Sequence, residues 1–178
     1  TTCLLALMDY LNHEGRYRAL YANIETAQAA REDVCLGITG IVQTIAAEAA
    51  WLLKDPEAEP LARRVLADQA PTVALGRFLA DWCEQSPLPV VLLLDEVDAL
   101  VGDTLIALLR QLRAGYNQRP AHFPQTVILC GVRDLRDYRI HSRAEAAIIT
   151  GGSAFNIRAK PLRLGDFTAA EGASLLQE

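Results

Sequence analysis

The sequence predicts an α/β fold, a three-layer sandwich in which helices cover both faces of a mainly parallel β-sheet. Short apolar runs alternate with longer segments of helical periodicity, which is the pattern of βαβ units. The most apolar run, residues 90–94, contains no polar side chain. A strand of this kind is buried on both faces, as in a parallel sheet covered by helices.

The first half of the chain is predicted to be mostly helical. Its opening segment carries apolar residues at helical spacing: Leu4, Leu7, Met8 and Leu11. Gly15 ends this helix, and residues 17–25 are rich in β-formers and predict a strand. Three further helices are predicted between proline-containing breaks: residues 34–53, 61–69 and 72–85.

The second half returns to strands. After the apolar run, residues 103–116 are amphipathic and predict a helix, and residues 126–132 predict a second buried strand. Short strands are expected at 155–157 and 162–164. Thr168 and Glu171 have the spacing of a capping box, which opens a final helix.

Length and composition predict one globular domain spanning residues 1–178. Hydrophobic residues make up 51% of the chain and charged residues 22%, which excludes a disordered protein. The net charge is −5, and Lys54 and Lys160 are the two lysines. A surface that tracks nucleic-acid phosphates needs clustered basic residues, so a nucleic-acid partner is not indicated.

The cysteines and the hydropathy pattern predict a cytoplasmic location. Each of the four cysteines lies among apolar neighbours, far from the others: Cys3, Cys35, Cys83 and Cys130. Such spacing predicts reduced, buried thiols and no disulfide framework or zinc site. No run of about 18 apolar residues predicts a membrane span, and no signal peptide is recognisable.

Two carboxylates follow the apolar strand directly. Asp95 and Glu96 come at its carboxyl end, where α/β sheets place their ligands. This pattern is typical of a Walker B strand, in which Asp95 would hold Mg²⁺, directly or through water, and Glu96 would orient or deprotonate the attacking water. The alternative is an ordinary core strand that runs into an acidic helix cap.

Two threonines open the first helix. In the phosphate-binding motif G-x-x-x-x-G-K-S/T, the final hydroxyl binds Mg²⁺ and the helix follows at once. Thr1 would be that residue, with the glycines and lysine upstream of it, so the chain is interpreted as a fragment cut inside its Walker A motif. The alternative is that Thr1 and Thr2 only cap an amphipathic helix.

Four segments together resemble the P-loop ATPases of the AAA+ and STAND type, in particular the prokaryotic AAA-like ATP-binding proteins. They are the threonine-led first helix and residues 92–98, 127–134 and 153–168. The resemblance implies a P-loop core with ATP and Mg²⁺ as cofactors. It assigns Thr1, Thr2 and Asp95 to cofactor binding, Thr1 and Asp95 to the metal, and Glu96 to catalysis.

Arg133 lies just beyond the 126–132 strand, where the resemblance implies a sensor region, and is the second catalytic candidate. The nearby arginines are predicted to lie on an exposed helix: Arg136, Arg139 and Arg143. The P-loop itself, the internal strand before it and the C-terminal lid of the family are expected outside residues 1–178. We therefore expect residues 1–178 alone to fold poorly.

The predicted function is the ATP-binding and ATP-hydrolysing core of a regulatory ATPase, in which hydrolysis acts as a conformational switch. A protein partner or effector domain, or further copies of the chain, would receive the signal. The alternative is a degenerate, nucleotide-responsive scaffold with little hydrolysis. Asp98 is predicted to cap the following helix, Glu25 to face solvent, and Trp51 and Trp82 to lie in the core.

Overall fold

The computed structural model describes residues 1–131, 140, 141, 148, 149, 162 and 165. Five helices occur in this part of the chain: α1 Thr2–His13, α2 Val34–Leu52, α3 Ala58–Asp68, α4 Pro71–Gln85 and α5 Gly102–Ala114. Five strands accompany them: β1 Arg18–Asn23, β2 Val90–Asp95, β3 Thr126–Leu129, β4 Ile140–His141 and β5 Ile148–Ile149. Short 3₁₀ segments follow β1, β2 and α5, at Glu25–Ala30, Val97–Ala99 and Gly115–Gln118.

The main sheet has the strand order β1-β2-β3, and both pairings are parallel. Every residue of β2 is buried, as expected for the central strand. β4 and β5 form a separate antiparallel pair of two residues each. The predicted α/β class with a mainly parallel sheet is confirmed.

The larger core covers one face of this sheet. Leu20, Leu92 and Leu94 point toward it and are fully buried. The central helix of this layer is α2, whose N-cap Asp33 accepts a 3.0 Å hydrogen bond from the Leu36 amide. Four of its apolar side chains at helical spacing are also fully buried: Ile38, Ile41, Val42 and Ile45. Each stabilises the fold by about 1.5–3 kcal/mol.

The opposite face carries a smaller core under α1. Ala19, Val91 and Leu93 alternate with the residues of the larger core along β1 and β2, and Met8 of α1 packs on them. Helices therefore cover both faces of the sheet, which is compatible with a three-layer sandwich.

The helix α2 is long and apolar enough to cross a membrane by length and composition, with 19 residues and a mean hydropathy of 1.4. It is the one such helix among the described residues. Its apolar face packs against β1, α3, α4 and α5 inside the fold. The core helix of a globular domain passes the same test, so this is weak evidence for a membrane span.

Several local predictions were wrong. Trp51 is 68% exposed, because it lies off the face of α2 that carries Ala49 and Ile45 into the core. Asp98 lies in the 3₁₀ segment after β2, and the N-cap of α5 is Val101.

Two cysteines and one helix boundary also differ from prediction. Cys3 and Cys35 are exposed, whereas Cys83 is buried and Cys130 half-buried. The helix α3 begins at Ala58, so Pro60 lies in its first turn, where a missing N–H costs nothing.

Some predictions lie outside the described residues. They are Arg133 and the arginines that follow it, the strand at 155–157, and the capping box of Thr168 and Glu171. Of the strand predicted at 162–164, Leu162 is described, and its side chain is 84% exposed.

Candidate functional site

The candidate site lies at the carboxyl edge of the parallel sheet. Asp95 is the last residue of β2 and is 2% exposed. Asn23, the last residue of β1, is its partner in the register, and β3 flanks it on the other side. Because the three strands are parallel, their carboxyl ends meet at this edge, where α/β folds bind their ligands.

Thr1 reaches Asp95 from the start of α1. Its Oγ1 donates a 2.7 Å hydrogen bond to Asp95 Oδ2, although the two residues are 94 positions apart in the sequence. The backbone nitrogen of Thr1 lies 3.6 Å from the same oxygen. Thr1 occupies the N-cap position of α1, yet its side chain makes no capping hydrogen bond. The hydroxyl therefore serves Asp95 and not the helix.

Tyr21 and Cys130 complete the surroundings of Asp95, and sequence reasoning missed both. The Tyr21 hydroxyl donates a 2.9 Å hydrogen bond to Asp95 Oδ2, and the Cys130 thiol beside this carboxylate helps to lower its pKa. The backbone amide of Glu96 donates to Oδ1 at 3.1 Å. The sequence feature that could have identified Tyr21 is its position two residues before the end of β1, where alternation places its side chain on the face of the sheet covered by α1.

The hydrogen bonds keep Asp95 ionised. Burial by itself raises the pKa of Asp95, but the donors Thr1, Tyr21, Cys130 and the Glu96 amide outweigh it and lower the pKa below its usual value. Burial, then the hydrogen bond to Asp95, raises the pKa values of both Tyr21 and Cys130. Both groups therefore keep their protons and remain donors.

Glu96 has a strained backbone next to this cluster. Its φ of 59° and ψ of 37° lie in the left-handed region, which costs a non-glycine residue about 1–2 kcal/mol. The surrounding backbone is tied down: the Val97 amide donates to the Cys130 carbonyl at 3.0 Å, and the Ile24 amide to the Asp95 carbonyl at 3.2 Å. Strain held in this way is frequent at functional sites.

The structure brings together only part of the predicted set. Thr1 and Asp95 are in contact, and Glu96 follows directly. Thr2 is exposed in the first turn of α1. Glu25 is exposed after β1, as predicted. Arg133 lies outside the described residues.

The oxygen atoms at this edge fit Mg²⁺. Carboxylate and hydroxyl oxygens are hard ligands, and Mg²⁺ is commonly bound through one or two carboxylates, with water and substrate phosphates completing its shell. Within the described residues no group of three or more His, Cys, Asp or Glu side chains could hold a metal ion. Thr1 with Asp95 could therefore supply only part of a coordination shell.

A cleft of about 770 Å³ lies elsewhere along the same sheet edge. It is lined by residues from 25–31, after β1, and from 99–101, after β2. Its volume falls within the usual range for small-molecule sites. Thr1, Tyr21 and Asp95 are not among its lining residues, so the cleft and the carboxylate cluster are separate features.

The carboxylate cluster of Thr1, Tyr21, Asp95 and Cys130 is thus the most chemically specific arrangement in the described part of the chain. No protein-family model, curated protein or solved structure matches this chain.

Proposed function

We propose that this chain is the ATP-binding and ATP-hydrolysing core of a P-loop ATPase of the AAA+ and STAND type. The observation that carries the proposal is the 2.7 Å hydrogen bond between Thr1 Oγ1 and Asp95 Oδ2. In P-loop NTPases a hydroxyl at the start of a helix and a carboxylate at the end of a strand hold Mg²⁺ together. The parallel sheet and the fully buried strand that ends in Asp95 support the same conclusion.

Each residue has a role in this proposal. When bound with ATP, Mg²⁺ would neutralise charge on the phosphates. Thr1 and the ionised Asp95 would hold it. Thr2 lies in the first turn of a 12-residue helix, where unpaired N–H groups favour phosphate. Glu96 would orient the attacking water and accept its proton, and Arg133 would supply positive charge toward the γ-phosphate.

The backbone around Asp95 supports a conformational switch as the output of hydrolysis. The Cys130 amide donates to the Leu94 carbonyl at 2.8 Å, and the Val97 amide donates back to the Cys130 carbonyl. The Ile24 amide is bonded to the Asp95 carbonyl. A displacement of Asp95 or Glu96 therefore moves the segments that follow all three strands.

One observation favours the second candidate, a nucleotide-responsive scaffold with little hydrolysis. Three protein groups donate hydrogen bonds to Asp95, and these donors stabilise its ionised form. A domain of this kind could keep its shape without turnover and serve mainly to recruit a partner.

The test is Mg²⁺-dependent ATP hydrolysis by the whole protein, with the variant Glu96→Gln. The substitution removes a proton acceptor of a kind that contributes about 10²–10⁴-fold to rate, so turnover should fall by that order while ATP binding persists. Glu25→Gln is the matched control, since Glu25 is an exposed carboxylate after the neighbouring strand. Equal turnover in Glu96→Gln and the unaltered protein would remove Glu96 from its role. No hydrolysis in the unaltered protein, with ATP still bound, would favour the scaffold.

A further inference from the structure

Oδ2 of Asp95 has both of its lone pairs occupied by hydrogen-bond donors. An ionised carboxylate offers about four lone-pair sites to hydrogen-bond donors. Oδ2 accepts from Thr1 Oγ1 at 2.7 Å and from the Tyr21 hydroxyl at 2.9 Å, and Oδ1 accepts from the Glu96 amide at 3.1 Å.

A divalent cation can bind Oδ2 directly only if the Thr1 or the Tyr21 hydroxyl gives up its hydrogen bond. The Thr1 hydroxyl can donate to Asp95 and still offer its own oxygen to a cation. The Tyr21 hydroxyl donates to Oδ2, and a neutral phenol is a poor ligand for a divalent cation, so Tyr21 occupies this oxygen without offering a ligand of its own.

We propose that Tyr21 is a positioning residue that occupies Asp95 Oδ2 and restricts direct binding of divalent cations to this oxygen. The inference rests on the proposed function in one respect, that the relevant cation is the Mg²⁺ bound with the nucleotide. With Tyr21 in place, Asp95 acts on the cation through the Thr1 hydroxyl or through water. Without its hydroxyl, Oδ2 has a free lone pair and becomes a direct ligand.

The geometry of the sheet explains why Tyr21 holds this position. It lies on β1, which pairs in parallel register with β2, so its backbone is fixed relative to Asp95. Tyr21 and Leu93 are partners in that register, and the Tyr21 side chain packs in the smaller core under α1. The hydroxyl is therefore held against Oδ2 by strand pairing and packing.

The experiment measures Mn²⁺ binding to the nucleotide-free whole protein, from the electron paramagnetic resonance signal of unbound Mn²⁺. Tyr21→Phe should lower the dissociation constant of the Asp95-dependent site by about three- to tenfold, the size that one net hydrogen bond contributes. A residue that merely supported the fold would leave the affinity unchanged or weaken it when substituted.

Three variants control the measurement. Tyr17→Phe removes a hydroxyl from a tyrosine that packs in the same smaller core, and should bind Mn²⁺ like the unaltered protein. Asp95→Asn should abolish the site in both the Tyr21 and the Phe background. Tyr21→Leu removes the same hydroxyl with a side chain of different shape, and replaces Tyr21→Phe if that variant does not fold.

Binding by Tyr21→Phe that is no tighter than in the unaltered protein overturns the proposal. The absence of Asp95-dependent Mn²⁺ binding in every variant overturns it as well. The proposed ATPase activity is tested separately. If the protein neither binds nor hydrolyses ATP but Tyr21→Phe binds Mn²⁺ more tightly, the role of Tyr21 stands and the proposed ATPase function is refuted.

Discussion

Two aspartates at opposite ends of the sheet are held in different ways. Asp55, near the amino end of β1, receives a 3.0 Å ion pair from Arg18 and a 3.0 Å hydrogen bond from Trp82 Nε1. Asp95, at the carboxyl end, is surrounded by hydroxyl, thiol and amide donors. No basic side chain among the described residues forms an ion pair with it.

The difference separates a structural aspartate from a candidate functional one. At Asp55 the protein supplies both the hydrogen bonds and the opposite charge, so the charge of this carboxylate is neutralised within the protein. At Asp95 the hydrogen-bond donors lower the pKa but leave the negative charge in place, and no basic side chain of the described residues offsets it. A buried anion of this kind retains its attraction for a cation from solution.

The largest expected effect is at the structural end. Arg18→Met keeps much of the apolar stem but leaves Asp55 without its counter-charge, which should lower the free energy of unfolding by about 3 kcal/mol. Urea-induced unfolding of the whole protein measures it. Arg63→Met is the control, because the Arg63–Glu59 pair is exposed and contributes at most about 0.5 kcal/mol. If Arg18→Met and Arg63→Met lowered the free energy of unfolding equally, the structural role of the Arg18–Asp55 pair would be contradicted.

Much of the fold could be predicted from the sequence, because hydrophobic periodicity determines which faces are buried. The run at residues 90–94 predicted the central strand, and the spacing of Ile38, Ile41 and Ile45 predicted the central helix. Trp51 was misplaced because an aromatic residue beside an apolar face was taken as part of that face. A shift of two helical positions from Ala49 places it in solvent.

The candidate site was only partly predictable. Asp95 and Glu96 follow a strand and Thr1 opens a helix, so local sequence suggested each of them. Tyr21 and Cys130 belong to neighbouring strand segments, and their contact with Asp95 depends on the register of β1 and the path of the chain after β3. Register is a tertiary property that one sequence does not specify at this precision.

A smaller effect is expected at Asp95, and it should depend on pH. Because the folded pKa is below the ordinary value of 3.8, ionised Asp95 contributes stability above that pH, and the contribution is lost as pH falls through the folded pKa. Asp95→Asn should therefore cost about 1–2 kcal/mol at neutral pH, by loss of charge-assisted hydrogen bonds. The difference from the unaltered protein should shrink below pH 3.8. Urea unfolding at a series of pH values tests this, and a difference that grows toward acid pH would contradict the assignment.

The smallest effect concerns the strained residue that follows Asp95. At Glu96 the left-handed backbone favours glycine, so Glu96→Gly should be more stable than Glu96→Ala by about 1 kcal/mol. The same pair of substitutions at Arg110, exposed in the interior of α5, should give the opposite order by about the same amount, because glycine weakens a helix relative to alanine. If the two pairs gave the same order in thermal unfolding, the strain at Glu96 would not be real. If they differ as expected, the surrounding structure holds the backbone of Glu96, beside Asp95, in a conformation that it does not favour. Lys54, in the turn after α2 and next to Asp55, also has a left-handed backbone. Strain therefore accompanies both aspartates, and what distinguishes Asp95 is that no basic side chain of the described residues forms an ion pair with it.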